Sequence, residues 1–249
     1  MRCAYTGKGN GPSGWFRRSC AYAGENSEDY GVRTKFAAEL AALSEELGRL
    51  AELASHASER AAVGLARADL TAAYEALAAD EELQTGFTAC ENRAVILLAL
   101  EAPVARDLRQ VVSAIRITDD LSRIGSLISA IAETAVRYFP ETIAPDEVAE
   151  QLSDIGTATA ALIAATNAAI AAPPGKGDVL APPGPALADL RAEVQARIAA
   201  PDWAHGHVVA TDLGLLMHHY ERCAEHCARI GGLINFFHTG TPMSLESAE

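Results

Sequence analysis

The sequence predicts an all-α protein built as two tandem three-helix bundles related by an internal pseudo-twofold axis. Three observations carry that expectation. Apolar residues recur at alternating steps of four and three, as in Phe36, Leu40, Leu43, Leu47, Leu50, Ala54, Ala57 and Ala61, which is the rhythm of a helix buried along one seam. Aromatic residues are only 6% of a chain that is 49% apolar, a balance that favours close-packed, alanine-rich helices over strands. Finally, the segment Thr118 to Ile131 matches the segment Met217 to Ile230, with Leu121, Arg123, Ile124 and Ser126 falling opposite Tyr220, Arg222, Cys223 and Glu225. One helix has been copied, and the unit around it with it.

Residues 1–31 hold six glycines, Trp15 and scattered arginines but no periodic apolar face, so they are expected to be a disordered tail. Glu28-Asp29 can be encoded GAGGAC and Val32 can be encoded GTG, so the segment can equally be an untranslated leader; native peptides containing Trp15 would refute that. From Val32 the first seam begins one long helix. A second helix follows Asp69, carrying Leu83, Phe87, Cys90, Ala94 and Leu97, with a break expected near Asp80. Pro103 is expected as a first-turn proline opening the third helix, which runs to about Tyr138 and is stopped by Pro140. Residues 32–140 thus form the first bundle, and 141–240 repeat the plan. Helix four is expected from about Pro145 to Ala171, and residues 172–185, with five of the eleven prolines, read as a linker. Helix five follows from Ala186 to about Ala200. Helix six, capped by Asp202, spans roughly Trp203 to Phe237 along the seam Leu213, Leu216, Tyr220, Cys223, Cys227, Ile230, Ile234 and Phe237. Residues 241–249 are expected to be a disordered tail.

With 249 residues the chain is long enough to bury a large core. Its formal charge of −13 repels phosphate backbones and anionic headgroups, which argues against nucleic acid and against electrostatic membrane attachment. The uncharged stretch Thr157 to Gly175 is too polar and too interrupted to span a bilayer, so no direct membrane insertion is expected. Five cysteines are an odd number for a disulfide framework and fit a reducing cytosol.

Two groups of residues on helix six can carry chemistry. Cys223 and Cys227 lie on the buried stripe, where a thiol serves as a small apolar side chain; the alternative is a soft-metal site with His219 or His226. Glu221 and Glu225 lie off the seam, one turn apart on a single outward face, with His218 ahead of them. Such a set suits iron, zinc or manganese. The competing reading is a solvated acidic face with Glu225 paired to Arg222 or Arg229. The matching strip of the first copy reads Asp119, Ser122 and Ser126, where Asp119 and Asp120 can supply one or two oxygens. No Glu-x-x-His pair, phosphate loop, His-Glu-x-x-His or nucleophile elbow occurs. His56 is a candidate phosphoacceptor with an ordinary outer-face explanation beside it.

The stretch "LLALEAPVARDLRQVVSAIRITDDLSRIGS", the later "HHYERCAEHCARI" and the opening "RTKFAAELAALSEELGRL" together resemble the PhoU family, its actinobacterial branch in particular. The resemblance covers Val32 to about Gly240 and marks Arg109, Arg123 and Arg222 as motif arginines. It implies two three-helix bundles, a homodimer, and on the third helix of each bundle a pair of acidic residues that binds iron, zinc or manganese in some members. In this chain that pair survives as Glu221 and Glu225 and is lost at Ser122 and Ser126. The function implied is that of a cytoplasmic adaptor without enzymatic activity, coupling the phosphate ABC transporter to a sensor histidine kinase and repressing phosphate-starvation genes. The alternative is a helical protein that stores or senses a transition metal.

Overall fold

A computed structural model describes residues 27–171 and 185–241, which form six helices and, among those residues, no strand. The helices are α1 (Ser27–Arg67), α2 (Leu70–Glu101), α3 (Ala105–Tyr138), α4 (Ala149–Ala171), α5 (Pro185–Ile198) and α6 (Gly206–Thr239). The expected tails at residues 1–26 and 242–249 and the linker at 172–184 lie outside the described residues.

The seams read from the sequence are the buried faces. Leu43, Leu50 and Ala54 of α1 and Leu213, Cys223, Cys227 and Ile230 of α6 are fully enclosed. The helix ends differ more. α1 starts at Ser27, ahead of Val32, because an apolar period marks only where a helix meets the core while polar residues of adequate propensity prolong it. α2 runs unbroken through Asp80, whose carboxylate accepts a hydrogen bond from Gln84 one turn on at 3.2 Å. Pro103 lies outside α3: Val104 is the extended N-cap residue and Ala105 the first helical one. Residues from Pro145 make only a turn, closed by Val148 N–H donating to the Pro145 carbonyl at 3.0 Å, before α4 begins at Ala149. Asp202 does not cap α6; Arg197 holds its carboxylate at 2.9 Å, and the helix starts after His205. Gly240 ends α6 in the left-handed conformation (φ 76°), its N–H donating to the Phe236 carbonyl at 2.8 Å.

Packing repeats the duplication. α1 packs on α2 and α3, and α2 on α3; α4 packs on α5 and α6, and α5 on α6; the halves meet through α1 with α4 and α3 with α6. Exchanging α1 with α4, α2 with α5 and α3 with α6 maps this set of pairs onto itself. The four helices α1, α3, α4 and α6 are therefore central, α2 and α5 flank them, and one apolar cluster runs through both halves. Gly156 permits the close approach of α4 to α1, since a Cβ there would stand 3.1 Å from the Ala62 methyl carbon. By length and composition α4 is apolar enough to cross a membrane. Here Leu152, Ile155, Ile163 and Ile170 are instead buried in the protein core.

Candidate functional site: the paired strips of α3 and α6

The duplicated helices place their motif residues equivalently. Leu121 and Ile124 of α3, like Tyr220 and Cys223 of α6, are buried, while Arg123 and Arg222 are largely outward. Flanking these arginines along the helix are Ser122 and Ser126 in the first half and Glu221 and Glu225 in the second.

In the first half the strip is closed by a hydrogen-bonded network from the middle helix. Ser122 Oγ donates to Gln84 Oε1 of α2 at 2.9 Å, and Gln84 Nε2 donates to Asp80 Oδ1 at 3.2 Å and to Ser126 Oγ at 3.4 Å. Asp119 faces outward and pairs with Arg123 at 3.2 Å, one turn along the same helix. A cleft of about 360 Å³ opens beside this network, lined by Gln84, Arg116, Asp119, Ser122 and Arg229 among others.

In the second half the strip is acidic and closed by arginines. Glu221 and Glu225 point away from the core with side chains 41% and 48% exposed. Arg191 of α5 reaches across to pair its Nη2 with Glu221 Oε1, and Arg222 pairs with Glu225. The ion-paired reading of Glu225 is thus the observed one, with Arg222 as the partner. His218 is exposed, whereas the neighbouring His219 is half-buried with Nδ1 enclosed and unpartnered, so burial, and next the adjacent His218, lowers its pKa.

Asp120 is on neither strip. It is completely buried where α3 meets α6, its Oδ1 2.8 Å from His226 Nδ1 and 3.5 Å from Arg229 Nε, with Oδ2 enclosed and without a hydrogen-bond partner. The structure therefore separates Asp120 from the outward Asp119 and gives it to the interface between the halves. Cys223 and Cys227 are free thiols in the core, their pKa values pushed up by burial, Cys227 to about 11. Of the motif arginines, Arg109 lies at the start of α3 against Gly240, the C-cap of α6, rather than on either strip.

Among the described residues no three His, Cys, Asp or Glu side chains gather as a metal set. The donors present do not fit a family-type centre: Glu221 and Glu225 are each tied to a guanidinium, and hydroxyls replace carboxylates in the first half. Gln84 and Arg191 were not singled out in the sequence. A signal existed, since each directly follows a leucine on the middle helix of its half, Leu83 and Leu190, and so lies at the edge of the packed seam.

This arrangement defines a duplicated helical-bundle protein whose outward motifs are closed by internal side-chain partners. The PhoU domain model matches residues 47–135. Over 210 residues the chain is 34% identical to the phosphate-specific transport system accessory protein PhoU homolog 2 of Mycobacterium tuberculosis, covering 84% of this chain and 99% of that protein. It is likewise 34% identical to PhoU homolog 1 of Mycobacterium leprae, over 84% of this chain and 95% of the relative. The crystal structure of the phosphate transport system regulatory protein PhoU from Streptococcus pneumoniae shares the fold, with a TM-score of 0.67 at 23% identity over 84% of this chain and all of that one. PhoU from Pseudomonas aeruginosa gives 0.67 at 22% identity over 83% and 100%. The chain belongs to the PhoU family. It is similar throughout both halves to accessory proteins of phosphate transport.

Proposed function

We propose that this protein is a cytoplasmic regulatory adaptor that couples the phosphate ABC transporter to a sensor histidine kinase and keeps phosphate-starvation genes off when phosphate is plentiful. The observation that carries this reading is similarity spanning nearly the whole length of relatives named as accessory proteins of the phosphate-specific transport system. A stiff helical body suits the role, because partner helices dock on preformed faces at little ordering cost.

The homodimer belongs to the same proposal. At the corner where α2 ends and α3 begins, Val95, Ile96, Leu100 and Val104 are all more than half exposed. The adjoining cleft of about 360 Å³ carries Lys35 and Arg93 against Glu39 and Glu101. Two cations and two anions leave this rim neutral in a chain of charge −13, so two copies can meet here without the repulsion they meet elsewhere. We assign this corner to a second copy of the chain.

Tagged protein recovered from cells at high phosphate is expected to bring down the nucleotide-binding subunit of the phosphate transporter or the kinase. Deleting its gene is expected to leave phosphate-starvation genes switched on in rich medium. Absence of both associations together with unchanged expression would refute the adaptor.

A further inference from the structure

We infer that Arg191 occupies the cation position of the second acidic motif, so that this chain closes with its own guanidinium a place that other members of the fold can give to a metal. The inference rests on the family reading only for the expectation of a metal there. Everything else comes from the side chains.

Two carboxylates one turn apart on a helix repel each other unless a cation joins them. Here each carboxylate takes its own guanidinium instead, Arg191 from α5 on Glu221 and Arg222 from the same helix on Glu225, and these four charges sum to zero without any ion. The two arginines are not alike. Arg222 is 42% exposed and can swing into water, whereas the Arg191 side chain is only 13% exposed. A guanidinium sunk that deeply needs a fixed anion, because a charge held away from water without a counter-charge is strongly unfavourable. For Glu221 to ligate a metal it would have to abandon Arg191 and strand that charge between two helices. Arg191 Nε is already enclosed without an acceptor, so no other partner waits to take the place of Glu221.

The first half supports the same logic by its contrast. At the equivalent place the middle helix sends Gln84, not an arginine, and it meets Ser122 and Ser126, not carboxylates. A neutral amide faces hydroxyls in one half, and a cation faces a carboxylate in the other. Each closing side chain matches the charge of its own strip, as expected of a filled site and not of one awaiting an ion.

The test uses the purified full chain with Mn(II), Zn(II) and Fe(II) supplied singly under conditions that keep each in solution. Elemental analysis after dialysis is expected to find no stoichiometric metal, and the melting temperature is expected to be the same with metal and with chelator. Arg191→Ser should acquire a metal-dependent rise in melting temperature, and Arg191→Ser with Glu221→Gln should lose it. If the serine variant does not fold, Arg191→Gln carries the same measurement, since it keeps a hydrogen-bonding side chain and removes only the charge. The inference is overturned by a wild-type chain that retains stoichiometric metal and loses it on Glu221→Gln. It is equally overturned by a folded Arg191 variant that stays indifferent to all three metals. Neither outcome touches the association with transporter or kinase, so the adaptor reading stands or falls separately.

Discussion

Asp120 and His226 form a deeply buried polar pair between the two halves, with side chains 0% and 3% exposed and the bond length 2.8 Å. Enclosing such groups is costly, yet removing one partner costs more than removing both, because the survivor is left buried and unpaired. Asp120→Ala is therefore expected to lower the unfolding free energy by about 3–5 kcal/mol, read by urea denaturation with circular dichroism. Asp120→Leu combined with His226→Leu should recover a good part of that loss. An unaltered midpoint for the single variant would show that the pair does not join the halves. The sequence presented Asp119 and Asp120 as adjacent oxygen donors. Helical geometry places neighbours about 100° apart, and here that angle sends one to solvent and Arg123 and the other to the core and His226.

At the level of elements, stability is held at the helix ends as well as along the seams. Asp69 is the clearest case: its carboxylate accepts from the Ala72 N–H at 3.0 Å and starts α2 immediately after α1 ends. Asp69→Ala is expected to cost about 1 kcal/mol, seen as a lower melting temperature, while Asp69→Ser should restore most of it. If alanine and serine melt alike, the cap contributes nothing. The sequence placed Asp69 just before the second helix, and an acceptor side chain at a helix start acts locally. Asp202 was read as a cap and is not one, since Arg197 competes for its carboxylate and three further residues, Trp203, Ala204 and His205, precede α6. Pro103 misled in the same way, because a proline marks a boundary but does not say on which side of it the first helical residue falls.

For the whole molecule, the described residues leave an apolar corner exposed where α2 ends and α3 begins. Leu100 and Val104 are 75% and 73% exposed there, and burying such side chains between copies is favourable at roughly 25 cal/mol per Å². Leu100→Glu with Val104→Glu is expected to convert a dimer to a monomer in analytical ultracentrifugation with no loss of thermal stability beyond that of dissociation. A wild-type chain already monomeric at micromolar concentration, or a variant still dimeric, would remove this corner as the contact.

The helical class, the buried seams, the doubling of the unit and the outward direction of Glu221 and Glu225 could all be read from the order of the residues. All of these follow from a period or a spacing within one helix, where chain connectivity dictates geometry. That Arg191 meets Glu221, that Gln84 meets Ser122, and that Asp120 meets His226 across the two halves emerges from how the helices pack. A period says which face of a helix is turned inward. It does not say which side chain of another helix will lie opposite, because that depends on how α2, α3, α5 and α6 slide and rotate to fill one shared core.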